Sequence, residues 1–314
     1  MDKWLCFDAG GTFVKYAVIN ENEEFETEGK YETDCNDLEK FSAGLRKIYE
    51  EHKDVKGIAM SMPGMIEVDT GYMRTGGSIR CVMGINLAEH VSALCDGLPV
   101  TVENDGKAAG TAELVSGALK DCRNGAVCGM GTGIAGTIII DRKIVRGANL
   151  FAGELSYLVK DNKNLPDVPQ EGESLFNFIG DTFVGTTTAA AMCGIYSAMS
   201  GTQMDAKDCP HLFELMEQGD ELAKTAITTC VKNLAQLLFN LQCVIDPDVI
   251  AIGGGISANP VYIKMLQEAT VNVAKMVGMG APVPNVQPAK YRNGANLLGA
   301  LYFHWNKTGY RSLF

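Results

Sequence analysis

A glycine-rich turn near the start of the chain carries residue types that could bind phosphate. Gly10 and Gly11 follow a short apolar segment, and their backbone N–H groups can approach anionic oxygens because no Cβ intervenes. Thr12 adds a hydroxyl donor, and Lys15 could bring a positive charge to the same turn. Asp8 could hold Mg²⁺ directly or through water. Together they indicate a phosphate-binding turn, although a tight hairpin without a ligand would look the same.

Two later turns strengthen the phosphate interpretation. Each places glycines directly after a short apolar run, and their residues are Gly131, Thr132, Gly133, Gly253, Gly254 and Gly255. Open α/β sheets bind their ligands at such strand ends. Neither G-x-G-x-x-G opening a helix nor G-x-x-x-x-G-K-[ST] occurs, which disfavours a Rossmann dinucleotide site and a P-loop.

A candidate carboxylate lies where a predicted strand, 100–103, meets a predicted helix, 105–116. Such a junction projects Asn104 and Asp105 into a cleft. An aspartate before a helix is most often an N-cap, whereas phosphoryl transfer to a hydroxyl needs a proton acceptor. The residues alone leave both roles open for Asp105.

The bulk composition excludes several classes of protein. The net charge of -11 argues against a nucleic-acid partner, because phosphate neutralisation needs clustered Lys and Arg. No apolar run approaches the length of a membrane span, and the first residues do not form a signal peptide. The 10 cysteines include no C-x-x-C pair, and several lie in apolar runs, so we expect mostly core thiols and a cytoplasmic protein.

Strand and helix patterns alternate along the chain, which predicts an α/β fold. Helices are predicted over 38–51, 105–116, 222–244 and 294–305. The same pattern, a strand followed by a glycine turn and a returning strand, occurs near the start of each half, and the second turn is predicted at 129–136. This repetition suggests a duplicated domain.

Five motifs, in order and spacing, resemble the ROK family of sugar kinases and repressors: DAGGTFVK, VENDGKAAGTAE, GMGTGIAGTIII, AGELSY and DPDVIAIGGGIS. The resemblance spans nearly the whole chain. It implies a duplicated actin-like ATPase (ribonuclease H-like) fold with two lobes around a cleft. The N-terminal lobe would comprise 1–115 with the C-terminal helix 293–314, and the C-terminal lobe 116–292.

The resemblance also implies roles for the residues above. Asp8, Gly10, Gly11, Thr12 and Lys15 would form one phosphate loop of an ATP and Mg²⁺ site, with Gly131, Thr132 and Gly133 as the second and Gly253, Gly254 and Gly255 near the adenosine. Asp105 would be the general base. The sugar ligands would be Gly64, Asn104, Glu154 and Tyr157.

The chain departs from the zinc-bearing members of the family. Tyr157 stands where they have a metal-binding histidine, and 160–188 contains neither cysteine nor histidine, so we expect no zinc. The family's second sugar-binding glutamate falls near Thr182. These departures, with MRTGGSIR, AGELSYL and NGANLLGALYFHW, resemble the bacterial β-glucoside kinase branch, which implies a disaccharide phosphorylated on a 6-hydroxyl. A tyrosine can stack on a sugar face, although a core role for Tyr157 is open.

Several alternatives remain beside this hypothesis. A zinc-less glucokinase or N-acetylmannosamine kinase would share the same motifs. A sugar-responsive transcriptional regulator is disfavoured, because its DNA-binding domain would precede the first phosphate loop and Asp8 leaves no room for one. A non-catalytic sugar-binding remnant and an actin-like filament ATPase fit the motifs less well. The family implies a homodimer.

Overall fold

The computed structural model describes residues 1–168, 170–171, 173–291 and 294–314. The strands are β1 (Lys3–Ala9), β2 (Phe13–Asn20), β3 (Phe25–Glu32), β4 (Ile58–Met62), β5 (Ile66–Glu67), β6 (Tyr72–Met73), β7 (Val100–Asn104), β8 (Gly125–Met130), β9 (Ile134–Ile140), β10 (Lys143–Ile144), β11 (Val249–Gly253) and β12 (Val286–Pro288). The α-helices are α1 (Leu38–Glu51), α2 (Leu87–Leu94), α3 (Asp105–Ser116), α4 (Val184–Thr187), α5 (Ala189–Ser200), α6 (Cys209–Glu217), α7 (Glu221–Ile245), α8 (Pro260–Val277) and α9 (Ala295–Thr308). Short 3-10 helices occur at Arg80–Val82, Leu155–Tyr157, Leu175–Asp181, Ala206–Asp208 and Gly255–Ala258.

The chain divides into two compact units. Unit 1 comprises Met1–Lys120, Arg142–Ala152 and Tyr291–Phe314, and unit 2 comprises Asp121–Asp141 and Gly153–Lys290. Residues 142–152, which the sequence-based division assigned to the C-terminal lobe, belong to unit 1. Arg292 and Asn293, where that division placed its second boundary, lie outside the described residues.

Unit 1 is built on a sheet with the strand order β3-β2-β1-β4-β7, in which β1 pairs antiparallel with β2 and parallel with β4. Successive side chains of a strand point to opposite faces. On one face, Leu5 and Phe7 of β1 pack in a buried cluster with residues of α1 and α2. On the other face, Trp4 and Cys6 pack against α9, where Trp305 lies edge-on to Trp4 at 5.1 Å. The sheet is therefore covered on both sides.

Unit 2 repeats this arrangement. Its strands follow the order β9-β8-β11-β12, with β8 antiparallel to β9 and parallel to β11, matching β2-β1-β4-β7 in order and direction. The core joins alternate residues of β8, Ala126, Cys128 and Met130, to buried residues of α5 to α8. The duplicated fold expected from the sequence is therefore present in the structure.

Local signals explain where the main helices begin. Asp37 caps α1 by accepting from the N–H groups of Glu39 and Lys40, and Asn104 caps α3 by accepting from Lys107 N. Both helices have the bounds expected from the sequence. The second glycine turn is shorter than the expected 129–136, because β8 extends to Met130 and β9 begins at Ile134.

The cysteines are free thiols, and Cys6, Cys95, Cys122, Cys128, Cys193, Cys209 and Cys230 are buried. Burial in apolar surroundings raises the pKa of Cys128 to about 12, which keeps its thiol protonated and unreactive. This agrees with the expectation of core thiols. Among the described residues, no helix combines the length and apolar character needed to cross a membrane.

Candidate active site

In unit 1, the first glycine turn joins β1 to β2. Gly10 N donates to Phe13 O at 3.0 Å and closes the turn, whose residues 10–12 are exposed. A Cβ on Gly11 would lie 2.9 Å from Ser78 Oγ, so a side chain there would require the neighbouring loop to move. The predicted turn is therefore an exposed backbone surface in which a side chain at Gly11 would crowd Ser78.

Asp8 ends β1 below this turn and is held from two sides. Its side chain is mostly buried, and Oδ1 accepts from Ser61 Oγ at 3.1 Å and from Asn296 Nδ2 at 2.9 Å. Its second oxygen, Oδ2, lies 3.8 Å from Lys15 Nζ. The carboxylate is therefore fixed through Oδ1, and Oδ2 is the oxygen on the side of Lys15. Ser61 and Asn296 were not predicted, because their contact with Asp8 spans 53 and 288 residues of chain.

The junction of β7 and α3 separates the roles of Asn104 and Asp105. Asn104 is the N-cap of α3, since its Oδ1 accepts from Lys107 N at 3.1 Å. Its Nδ2 donates to Gly64 O at 3.1 Å, which joins two predicted sugar ligands. Asp105 is the first residue of the helix and half-buried, and its Oδ1 accepts from Gly106 N at 2.8 Å. The capping role considered for Asp105 thus belongs to Asn104.

Charged residues that the sequence analysis missed surround this junction. Glu103 is fully buried, and Arg146 binds it through two bonds, Nη1 to Oε1 at 2.8 Å and Nη2 to Oε2 at 2.5 Å. The bidentate pairing offsets the cost of burying a carboxylate. Lys107, 2% exposed, places Nζ 3.5 Å from Asn104 Oδ1. With Gly64 and Leu150, these residues line a small cavity of about 10 Å³.

Gly64 is required by its backbone. Its φ is +105°, and a Cβ would lie 2.3 Å from Thr75 O. Only glycine fits such a position without displacing the neighbouring backbone. Its carbonyl can therefore meet Asn104 Nδ2, so Gly64 positions the junction through its main chain.

In unit 2, the second glycine turn lies between β8 and β9. Gly131 N donates to Gly133 O at 2.9 Å, and Ser156 Oγ accepts from Ile134 N at 2.8 Å. A Cβ on Gly133 would lie 2.8 Å from Ser156 Oγ. The turn is therefore tied to the Leu155–Tyr157 helix, which follows Glu154.

The third glycine turn packs against the end of β8. Gly254 has a φ of +85°, and a Cβ there would lie 1.9 Å from Met130 O. Gly255, by contrast, has no atom within 4 Å of its Cβ position and faces open space. Gly254 thus allows the ends of β8 and β11 to approach one another, while Gly255 is accessible.

A pocket of about 820 Å³ opens at these strand ends within unit 2. Its lining comprises Met130, Gly131, Thr132, Ala189, Ala190, Ala206, Lys207, Cys209, Pro210, Phe213, Glu217, Gly255, Ile256, Ala258, Asn259, Pro260 and Val261. The N-terminal residues of α5 and α8 are among them, and helix N-termini favour anions. Apolar walls near helix N-termini suit a planar base joined to phosphates. The wall from α6 was not predicted, because nothing in the sequence at Pro210 or Phe213 marks a ligand-binding residue.

Glu154 and Tyr157 lie at the two ends of one short turn. Gly153, at a φ of +84°, packs on Gly136 of β9, where an added Cβ would lie 2.1 Å from Gly153 O. This close packing places the half-buried Glu154 directly before the Leu155–Tyr157 helix, and Tyr157 is 43% exposed. Tyr157 is thus accessible rather than a core residue.

Thr182, near the position of the family's second glutamate, has a local role. It is fully buried, donates from Oγ1 to Ile179 O at 2.7 Å and accepts from Gly185 N at 3.1 Å. Among the described residues, which omit 169, 172 and 292–293, no group of three or more His, Cys, Asp or Glu could hold a metal ion. The absence of zinc stays a prediction.

Most of the predicted residues therefore fall into three groups, two in unit 1 and one in unit 2. In unit 1, Asp8 and Lys15 flank the first turn, and Asp105 follows the Asn104–Gly64 contact. In unit 2, Gly131, Thr132 and Gly255 line one pocket, with their neighbours Gly133, Gly253 and Gly254 forming the backbone beside it.

Comparison with known proteins identifies the relatives of this arrangement. The model of the ROK family matches residues 4–307. The chain belongs to the ROK family. A β-glucoside kinase from Listeria monocytogenes is 31% identical over 96% of both chains, and an N-acetyl-D-glucosamine kinase from Vibrio atlanticus is 26% identical over 95% of this chain and 98% of its own.

A solved structure supports the fold. A ROK family protein from Streptococcus pneumoniae, in complex with sucrose, superposes with a TM-score of 0.83 at 29% identity and covers 98% of this chain and 100% of its own. The actin-like ATPase fold expected from the sequence is thereby confirmed. Because the curated relatives are named sugar kinases and match from end to end, the activity class of this ROK protein is carbohydrate phosphorylation.

Proposed function

We propose that the protein transfers the γ-phosphoryl group of ATP to the 6-hydroxyl of a β-glucoside or a hexose. The observation that carries this proposal is the full-length similarity to a β-glucoside kinase, joined to a pocket of about 820 Å³ at the glycine turns of unit 2. The family resemblance further suggests a homodimer, and MgATP and imported sugars would meet it in the cytoplasm.

The glycine turns are proposed to contact the nucleotide. The pocket at Gly131, Thr132 and Gly255 offers apolar walls for a base and helix N-termini for anionic groups. The turn at Gly10 to Thr12 is exposed, and the N–H groups of Gly11 and Thr12 are proposed to meet the phosphates. Positioning and charge stabilisation of this kind supply most of the catalysis in phosphoryl transfer.

Mg²⁺ fits the chemistry of Asp8. Ser61 and Asn296 occupy Oδ1, so the carboxylate has a fixed orientation and Oδ2 can face the ion directly or through water. The ion, when bound, would neutralise charge on the phosphates. Lys15, 3.8 Å from Oδ2, supplies a second positive charge to the same turn.

Asp105 is proposed as the general base. Its helix is capped by Asn104, so the Asp105 carboxylate is not needed to begin α3. It would accept the proton of the attacking sugar hydroxyl as the oxygen–phosphorus bond forms. Asn104, whose amide is oriented by Gly64 and Lys107, would contact a neighbouring hydroxyl.

The remaining sugar contacts are proposed for Gly64, Glu154 and Tyr157. A carboxylate at Glu154 can accept from two neighbouring hydroxyls. The exposed Tyr157 ring can stack on the second sugar of a glycoside, where a histidine ligand would hold a free hexose. Zinc has no part in this proposal.

A turnover screen tests the proposal. Purified protein with MgATP is assayed by coupled ADP detection on cellobiose, gentiobiose, glucose, N-acetylglucosamine and N-acetylmannosamine, and the product is located by phosphorus NMR. We expect the highest kcat/KM on a β-glucoside, with phosphate on the 6-oxygen. Turnover of none of these sugars would overturn the kinase proposal.

An amino sugar or free hexose is the second candidate acceptor. The N-acetyl-D-glucosamine kinase relative, which matches 95% of this chain, favours it. In the same screen, a preference for an N-acetylated hexosamine or glucose over both disaccharides would replace the β-glucoside by this alternative.

A further inference from the structure

One short segment holds the carbonyl groups of the first glycine turn. Thr33 Oγ1 donates to Gly10 O at 2.7 Å, and Cys35 Sγ donates to Gly11 O at 3.2 Å. The backbone N–H of Thr33 donates to Thr12 O at 3.0 Å. Consecutive carbonyls of a regular strand point in opposite directions. Here, three in a row are bound by the segment 33–35, which directly follows β3.

The direction of these carbonyls determines where the amides point. In a planar trans peptide, the C=O of one residue and the N–H of the next point in opposite directions. Because Gly10 O and Gly11 O face the segment 33–35, the N–H groups of Gly11 and Thr12 face away from it. Two successive amides on one side form a concave anion-binding surface.

The segment 33–35 is itself held in place. On one side it continues β3, which pairs with β2 in a register that joins Phe13 to Glu32. On the other side, Cys35 O accepts from Cys81 N at 2.9 Å. Asp34 Oδ1 accepts from Asp37 N at 2.9 Å, immediately before α1. The donors to the glycine turn therefore lie on backbone anchored at both ends.

We propose that Thr33 is a positioning residue for nucleotide phosphates, with Cys35 as a weaker second donor. Thr33 binds two carbonyls of the turn, one through its hydroxyl and one through its backbone, and so orients the amides that would meet the phosphates. A thiol is a poor hydrogen-bond donor, so the contribution of Cys35 is smaller. This inference rests on the proposed use of MgATP.

Paired variants test the role of Thr33. Thr33→Val keeps the shape and the backbone N–H but removes the hydroxyl, Thr33→Ser keeps the hydroxyl, and Thr27→Val makes the same change at a half-buried site within β3. Isothermal titration with MgADP and steady-state kinetics compare them with the wild type. We expect Thr33→Val to weaken MgADP binding about tenfold, the scale of one hydrogen bond, with the KM for the sugar unchanged.

The controls separate positioning from folding. We expect Thr33→Ser to restore MgADP affinity to within about twofold, Thr27→Val to match the wild type, and Cys35→Ala to weaken binding less than Thr33→Val. Wild-type affinity in Thr33→Val would overturn the inference and leave the kinase proposal standing. Equal losses for nucleotide and sugar, not restored by Thr33→Ser, would also overturn it. A wild-type protein that binds no MgADP would overturn the proposed function and this inference together.

Discussion

Asp105 and Asn104 are neighbours in the chain but have different structural roles. Asn104 is buried, caps α3 and binds Gly64 O, so its loss would disturb the helix start as well as any ligand. Asp105 is half-buried and lies one residue inside the helix. An acid in the first turn also interacts favourably with the helix dipole, worth about 0.3–1 kcal/mol at an exposed site. Replacing Asp105 should therefore affect chemistry far more than stability.

Asp105→Asn should lower kcat by about 10²- to 10⁴-fold, the range for a lost general base, while the sugar still binds. Rapid-quench or coupled assays measure kcat, and calorimetry measures sugar affinity. Asp121→Asn, an exposed acid beyond α3, is the matched control and should keep full activity. Turnover of Asp105→Asn within a few-fold of the wild type would remove Asp105 from the catalytic role.

At the scale of elements, the junction of β8 and β11 depends on one glycine. Gly254→Ala should destabilise the protein and weaken nucleotide binding, because a Cβ would meet Met130 O at 1.9 Å and the backbone conformation, φ +85° and ψ 170°, costs a non-glycine residue about 1–3 kcal/mol. Gly255→Ala is the control, since its Cβ meets no atom within 4 Å. We expect it to keep wild-type stability in thermal unfolding and to lose nucleotide affinity only. Equal stability of the two variants would contradict this.

His304 gives α9 a pH-dependent contact with β7. Its Nδ1 lies 3.0 Å from Thr101 Oγ1, and burial lowers its pKa from 6.5 to about 4. Between these values the unfolded chain binds a proton that the folded chain does not, so stability falls as the pH drops. The loss should reach about 2 kcal/mol at pH 5.

Urea unfolding at pH 7.5 and pH 5 measures this loss through tryptophan emission, since the chain's 2 tryptophans, Trp4 and Trp305, both lie in unit 1. His304→Asn, which keeps a polar group near Thr101, should show a smaller difference between the two pH values than the wild type. The same pH difference in both proteins would exclude His304 as its source.

The elements that the sequence predicted well are those with strong local signals. Helix α1 has an N-cap aspartate and a regular apolar face, and its bounds were predicted correctly. Strand β3 was missed because its sequence, FETEGKYE, is mostly charged and none of its residues is fully buried. Its strand conformation depends on pairing with β2, which the local sequence does not reveal. Helix α8 was also missed, although Asn259 as N-cap and Pro260 in the first turn are recognisable start signals.

The site shows the same division between local and distant signals. The glycine turns could be predicted because their glycines directly follow short apolar runs in the sequence. The residues that orient them could not, because Asn296 reaches Asp8 across 288 residues and Thr33 reaches Gly10 across 23. No spacing rule links such partners, and only the folded sheet brings them together.

At the scale of the whole molecule, unit 1 is assembled from three separate parts of the chain, the last of which contains α9. Leu297, Leu301 and Trp305 of this helix cover the face of the sheet that carries Trp4 and Ile19. Without α9, the apolar side chains of that face lose the helix against which they pack. The first 120 residues therefore contain most of unit 1 but lack part of its core.

A chain ending at Lys290 should fail to form a stable unit 1. The exposed apolar face should make it aggregate, and emission from Trp4, its remaining tryptophan, should shift to longer wavelength than in full-length Trp305→Phe, the matched control with the same single fluorophore. Size-exclusion chromatography and fluorescence measure both effects. A monodisperse 1–290 chain with the emission of the control would show that the sheet is stable without α9. Because each buried large side chain contributes roughly 1.5–3 kcal/mol, the loss of several from one face is comparable with a domain's net stability of about 5–15 kcal/mol.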